Sequence, residues 1–237
     1  MNYEFTIIVP VYNEEDNLKR VEQELLKYIS IASKKTKILF VNDGSRDNSQ
    51  NLIENICNDK VDFSFIQFEN NCGLSAALTA GFNNVDTELV GYIDSDLQTS
   101  PEDFNLLLAK IDDYDLVTGV RASRKDSFVK NMSSTIANGI RRSFTHDGMD
   151  DTGCPLKVIK TKYAKNIPMF NGLHRFLPAM ILLQNGKIKQ IPVRHFPRIA
   201  GEAKYGLWNR LLGPLMDCFA YLWMKKKYVN YQISKKG

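Results

Sequence analysis

The chain has 237 residues, 43% of them hydrophobic and 24% charged, with 14 Gly and 8 Pro; this is enough for one large domain with an appendage and excludes a disordered, collagenous or repeat-built chain. The net charge of +4 hides a split: residues 1–186 carry 20 Lys and Arg against 25 Asp and Glu, a balance of −5, and residues 187–237 carry 11 against 2, a balance of +9. A basic end on an acidic body implies a polyanionic partner (nucleic acid, an anionic membrane surface or a phosphorylated substrate), with a solvated basic tail as the plainer reading.

The first half alternates two periodicities. FTIIV (Phe5 to Val9) is a strand-type apolar run, and Leu18, Val21, Leu25 and Tyr28 follow at helical spacing behind a polar start. KILFV (Lys37 to Val41) predicts a second strand, 47–57 a helix, FSFIQF (Phe63 to Phe68) a third strand and Ser75 to Phe82 a helix. LVGYI (Leu89 to Ile93) predicts a fourth strand, Pro101 opens a helix, and DLVTG (Asp115 to Gly119) predicts a fifth strand. Such alternation implies an α/β fold with a mainly parallel sheet covered on both faces. Beyond residue 120 the spacing predicts a helix over 127–144, a polar turn THDGMDDTGCP, and short strands at Leu156 to Lys160 and Pro192 to Pro197. The stretch from Leu207 to Met224 is apolar but interrupted by Asn209, Arg210, Pro214 and Asp217. It is too broken to span a bilayer and suits one or two interfacial helices, with Trp208, Tyr221 and Trp223 at headgroup depth and Lys225 to Lys227 beyond. A helix packed on the domain or a dimer contact is the alternative. With no signal-peptide layout at the start, the expectation is a cytoplasmic protein, peripheral on the cytoplasmic face of a membrane.

In parallel sheets ligands bind beyond the carboxyl ends of the strands. The four segments there are PVYNEE, NDGSRD, ENNCG and DSDLQ, rich in carboxylates and asparagine. Neither GxGxxG nor GxxxxGKS occurs. Asp94 and Asp96, two positions apart in an extended segment, point to the same side and suit one hard divalent ion, with Gln98 as a further oxygen; solvated turn carboxylates are the bland reading. Asp43 ends the second strand, where a carboxylate could accept from a base or ribose hydroxyl, or cap a helix, while Gly44 permits the turn. Cys57, Cys72, Cys154 and Cys218 form no CxxC pair, which indicates reduced thiols, and His146, His174 and His195 lack ligand spacing.

Taken in order, PVYNEE, VNDGSRDNS, NNCGLSAAL, DSDLQTSPED and GVRASR resemble family 2 glycosyltransferases with the GT-A nucleotide-sugar fold. The later KNMSSTIAN, DTGCPLKV, GLHRFLP and HFPRIAGEAKYG are similar to the polyprenyl-phosphate branch typified by dolichol-phosphate mannose synthase, and the resemblance covers roughly residues 5–224. It implies a catalytic domain over 1–206, with a nucleotide-sugar half (1–120) and an acceptor half (121–206), followed by an interfacial segment with a basic tail (207–237). It also implies nucleotide contacts from Pro10, Tyr12, Glu14, Asp43 and Asp94, and Mg²⁺ or Mn²⁺ on Asp94, Asp96 and Gln98. Arg121, Lys130, Ser134, His174 and Arg175 fall at acceptor-phosphate positions, Lys130 standing where the family often has Arg, and Arg198 and Lys204 at positions that close over phosphates. Asn42 stands where many relatives have Asp. Asp96, Arg121, Arg198 and Lys204 are the implied catalytic set.

The implied reaction is inverting transfer of a sugar from a GDP- or UDP-linked donor to a polyprenyl phosphate. A phosphate nucleophile is already deprotonated near neutral pH, whereas a sugar hydroxyl needs a carboxylate base; Asp150 and Asp151 read as acceptor-site or structural residues instead. The implied partners are the two substrates and a membrane surface, with a separate membrane protein and a second copy of the chain as further candidates; no nucleic-acid module is recognised. Transfer to a saccharide hydroxyl is the second reading, and a non-catalytic sugar-nucleotide binder docked on a membrane is the third.

Overall fold

A computed structural model describes residues 2–121, 139, 141–197, 212–229 and 234–235. Seven strands form one sheet: β1 (Phe5–Val11), β2 (Thr36–Asn42), β3 (Phe63–Gln67), β4 (Leu89–Tyr92), β5 (Leu116–Arg121), β6 (Lys157–Lys160) and β7 (Ile188–Val193). Their spatial order is β3-β2-β1-β4-β6-β5-β7. β1, β2, β3 and β4 are mutually parallel, β6 runs antiparallel to both β4 and β5, and β7 is parallel to β5. Six strands therefore share one direction, and their carboxyl ends share one edge.

The α-helices with described bounds are α1 (Glu15–Ile31), α2 (Ser49–Asn58), α3 (Leu74–Asn84), α4 (Phe104–Leu108), α5 (Thr161–Lys165), α6 (Leu177–Leu183) and α7 (Leu212–Lys227). Period-two side chains of β1 divide the core. Phe5, Ile7, Val9 and Val11 face Leu18, Val21, Leu25 and Tyr28 of α1 and Phe104 and Leu107 of α4. Ile8 faces the opposite layer, where Ala77, Leu78 and Phe82 of α3 meet Phe176, Met180 and Tyr221. Glu15 and Asp16 in the first turn of α1 complement its helix dipole.

Register fixes where the strands stop. Phe5 pairs with Thr36 on one side and Leu89 on the other, so Val11 lies level with Asn42 and Ile8 with Tyr92. The ladder continues briefly past the strand ends, as the Asp43 N–H donates to the Val11 carbonyl (2.8 Å) and the Ile93 N–H to the Ile8 carbonyl (3.1 Å). At Gly91 a Cβ would stand 2.5 Å from the Lys157 carbonyl oxygen and 2.8 Å from Phe5 Cζ, so only glycine lets β6 close on β4 here.

Several expected elements are displaced. Pro101 opens a short 3₁₀ turn (Pro101–Asp103) before the five residues of α4. The last strand is Ile188–Val193, earlier than PVRHFP: its residues alternate partly exposed at a sheet edge and lack a strong apolar run. Of the helix expected over 127–144, the described part is helical at 141–145. The helices around GLHRFLPAMILL, a 3₁₀ turn Leu173–Phe176 and then α6, had no clear period in the sequence; Pro178 occupies the first turn of α6.

Tyr221, expected at headgroup depth, is instead 1% exposed and stacks on Phe176 with ring centroids 5.5 Å apart. Cys218, Tyr221 and Met224 recur every three residues and form the stripe by which α7 packs on the domain. Met216, Phe219 and Trp223 are outward, 67%, 53% and 68% exposed. Trp208 lies outside the described residues. Among the described residues no helix is long and apolar enough to cross a membrane.

Candidate active site

At the carboxyl edge of the sheet lies a cleft of about 380 Å³ lined by Pro10 near the end of β1, Tyr12 and Glu14 after it, Asp43 after β2, Asn71 and Gly73 before α3, Leu74 at its start, and Asp94, Ser95 and Asp96 after β4. Side chain to backbone bonds lock the first two loops together. The Asn13 amide oxygen accepts from the Arg46 N–H (2.8 Å), Ser49 Oγ from the Glu14 N–H (3.0 Å), and Asp47 Oδ2 from the Glu15 N–H (3.1 Å). Glu14 Oε2 also accepts from Asn17 Nδ2 at 2.6 Å. Asn42 accepts from the Ser45 N–H (3.0 Å) and donates to Gln50 Oε1 (2.7 Å), so an amide at this position builds the turn that a carboxylate could only accept into.

Asp43 lines the cleft, yet it is 4% exposed and its carboxylate is directed first to its own chain. Oδ1 accepts from the Cys72 N–H (2.7 Å), and Oδ2 from the Gly73 N–H (2.9 Å) and Asn71 Nδ2 (2.8 Å). It thereby shapes the loop that starts α3. Gly44 makes this approach possible: its φ is +66°, and a Cβ would lie 2.5 Å from the Asn70 carbonyl carbon.

Asp94, Ser95 and Asp96 follow β4 in a turn closed by the Leu97 N–H on the Asp94 carbonyl (3.1 Å), with Leu97 at φ +46°. Arg20, on α1, braces the turn by donating to the carbonyls of Asp96 and Leu97, both at 3.3 Å. The Gln98 carbonyl accepts from the Phe196 N–H (2.8 Å) and lies 3.1 Å from His195 Nδ1. Arg194 anchors that crossing: it donates to Asp103 through its N–H and its Nε (2.8 Å each), and pairs with Glu102 at 3.0 Å. The expected metal ligands fit a hard ion in chemistry. Asp94 and Asp96 present carboxylate oxygens to one cleft, and a diphosphate and water would complete the coordination of Mg²⁺ or Mn²⁺. Among the described residues no three His, Cys, Asp or Glu converge on a point.

Arg121 ends β5 on the same edge. Asp151 grips its guanidinium bidentately, Nε at 2.7 Å and Nη2 at 2.8 Å. Burial works against the charge and the Asp151 carboxylate more than offsets it, leaving the guanidinium raised above its ordinary value. The neighbouring turn carboxylates have basic partners too: Asp147 pairs with buried Arg141, and Asp150 with Arg142 at 2.9 Å. His174 and Arg175 are not presented together to one anion. His174 Nδ1 lies 3.0 Å from Ser75 Oγ, and burial, then the Arg175 charge, push its pKa down to about 3, so the ring is a neutral fastener between the 3₁₀ turn and α3. Arg175 pairs with Asp217 of α7 at 3.3 Å. Lys130, Ser134, Arg198 and Lys204 lie outside the described residues.

Residues 6–168 match the profile of glycosyl transferase family 2. The chain belongs to that family. It is 30% identical over 217 residues to an undecaprenyl-phosphate 4-deoxy-4-formamido-L-arabinose transferase of Edwardsiella ictaluri, covering 90% of this chain and 67% of the relative. Among solved structures, it resembles glucosyl-3-phosphoglycerate synthase from Mycobacterium tuberculosis, crystallised with Mn²⁺, UDP and glucosyl-3-phosphoglycerate (TM-score 0.72, 13% identity, 94% of this chain and 80% of that one). It also resembles S. aureus TarS bound to UDP-GlcNAc (TM-score 0.64, 16% identity, 97% and 68%). At these identities the likeness is one of fold, and the fold is GT-A.

Within this family 2 glycosyltransferase, sequence reasoning missed Arg20, Arg194 and Asn71. Arg20 and Arg194 act on backbone or on distant loops, which local motifs do not reveal. Asn71 stood inside a quoted motif without a role. The His174 geometry carries a pH signature. Its imidazole titrates near 6.5 when unfolded and near 3 when folded, so between those values the unfolded chain binds more protons and stability falls as pH drops from 6.5 toward 3. His174→Gln is expected to flatten that part of the dependence: comparing melting temperatures at pH 7 and pH 4.5, the variant should lose less than the wild type, and an equal loss would contradict a buried neutral imidazole.

Proposed function

We infer that this chain transfers a sugar, with inversion, from a nucleoside-diphosphate sugar to a polyprenyl phosphate. The observation that carries the acceptor class is the state of the carboxylates in the turn that leads to Asp151. Asp147, Asp150 and Asp151 are each paired with an arginine, which leaves them poorly suited to taking a proton from a sugar hydroxyl, whereas a phosphate acceptor needs no such base. The similarity to an undecaprenyl-phosphate transferase over most of this chain supports the same class.

In the proposed mechanism the donor base and ribose sit against Pro10, Tyr12 and Glu14, beside the loop that Asp43 shapes. Asp94 and Asp96 would hold Mg²⁺ or Mn²⁺, with Gln98 close by; a bound ion acts as a Lewis acid on the diphosphate leaving group. An acceptor phosphate oxygen attacks the anomeric carbon. The carbon–oxygen bond to the nucleoside diphosphate breaks with its electron pair on the phosphate oxygen, and the new glycosyl phosphate bond forms on the opposite face. No proton moves. Two anions must approach closely, and like charges 4 Å apart at an effective dielectric of 20 repel by about 4 kcal/mol, which is the service Arg121, Arg198, Lys204 and Lys130 are proposed to render. His174 is not part of this cationic set.

The outward face of α7, Met216, Phe219 and Trp223 followed by Lys225 to Lys227, is proposed to rest on an anionic membrane, where the acceptor resides. Incubation of labelled sugar nucleotides with polyprenyl phosphate or with oligosaccharides, followed by organic extraction, should place label in the lipid phase only; label on an oligosaccharide would favour the second acceptor class. Asp94→Ala should lower that transfer roughly 100-fold or more at saturating Mn²⁺, and near-normal activity would remove the metal assignment. In flotation, the protein should rise with phosphatidylglycerol vesicles and substantially less after Trp223→Ser with Lys225→Gln; equal behaviour would remove the membrane role of α7.

A further inference from the structure

Lys157, the first residue of β6, is fully buried between two strands. A buried ammonium is costly unless all three of its donors are taken, and here three neutral oxygens take them. Nζ donates to Tyr92 Oη (3.2 Å), to the Thr152 carbonyl (3.2 Å) and to the Cys154 carbonyl. It also lies 5.2 Å from the centroid of the Tyr92 ring. These acceptors come from two places that matter to the site. Tyr92 ends β4, two residues before Asp94; Thr152 and Cys154 belong to the loop that begins with Asp151, whose carboxylate holds the Arg121 guanidinium. The loop itself is close to Arg121, since a Cβ on Gly153 would stand 3.2 Å from Nη2.

We propose that Lys157 is a positioning residue that staples the 151–154 loop to the end of β4 and so sets where Asp151 presents Arg121 relative to Asp94 and Asp96. It touches no substrate. Its ammonium is a three-way joint, with two bonds to loop carbonyls and one to the Tyr92 hydroxyl, which methionine of similar length fills in volume but cannot replace. The proposal rests on the reading of Arg121 as an acceptor-phosphate ligand only for its kinetic consequence, not for the joint.

Two readouts separate those parts. In ¹⁵N spectra the Arg121 Nε–H signal, slowed in exchange by the Asp151 bond, should exchange markedly faster or broaden in Lys157→Met while the rest of the spectrum keeps native dispersion. In transfer assays the KM for polyprenyl phosphate should rise about tenfold or more, the donor KM should stay within about twofold, and a misplacement near 1 Å lowers kcat/KM by about 100-fold. Tyr92→Phe, which removes a single acceptor, should shift both readouts the same way by less, and serves if Lys157→Met does not fold. An unchanged Arg121 signal in either folded variant overturns the proposal. A changed signal with an unchanged acceptor KM keeps the joint and overturns the reading of Arg121 as the acceptor ligand.

Discussion

The site depends first on the Asp43 carboxylate. It stands at the end of β2, yet its bonds go to residues 71–73, about thirty positions later in the chain, and by accepting from two backbone N–H groups and one side-chain amide it fixes how α3 begins. Bonds to an ionised acceptor are about twice as strong as neutral ones. With Gly44 allowing the close approach, this carboxylate sets one wall of the cleft, while the β1–β2–β4 register brings the Tyr12 and Asp94 loops to the same level. A loop that pays its ordering entropy in the folded protein leaves less to be ordered when a nucleotide arrives.

Charge is partitioned along the sheet edge. The cleft side has Asp94 and Asp96 with an arginine, Arg20, bracing only backbone oxygens beneath them. The β5 side has Arg121 held by Asp151, with Arg141 and Arg142 occupied by the preceding carboxylates. One side suits a cation-bridged diphosphate and the other an anion. The −5 body of the sequence contributes Glu14, Asp43, Asp94 and Asp96 to the cleft, and the basic excess after residue 187 includes Arg194, paired with Glu102 and Asp103, and the lysines closing α7.

Much of this was legible beforehand. Short apolar runs ending in polar loops mark β1 to β5 within a residue or two; β1, β2 and β4 are buried on both faces and leave a plain compositional mark, and the edge strand β3 shows through its aromatic and β-branched residues. The cleft residues Pro10, Tyr12, Glu14, Asp43, Asp94 and Asp96 do line one cavity. What local pattern could not convey was the target of each side chain. Asp43 reads as a ligand or cap; it lines the cleft and is also a long-range anchor for the backbone that starts α3. His174 falls at an acceptor-phosphate position by resemblance, while its burial against Ser75 is a property of packing between α3, the 3₁₀ turn and α7. Tyr221 shares a polar-tipped aromatic type with Trp223, and only the helix phase set by Cys218 and Met224 decides which one faces inward. Lys157 sits in an apolar strand, where its charge is explained by two carbonyls and a hydroxyl contributed from elsewhere.

The central claim is that the carboxylate-ended cleft is a metal-dependent site for a nucleoside diphosphate. Titration calorimetry of UDP and of GDP, each with Mn²⁺ and with a chelator, tests it most directly. One nucleotide is predicted to bind with Mn²⁺ at least tenfold more tightly than without it; no heat from either nucleotide, or affinity indifferent to the metal, would contradict the account.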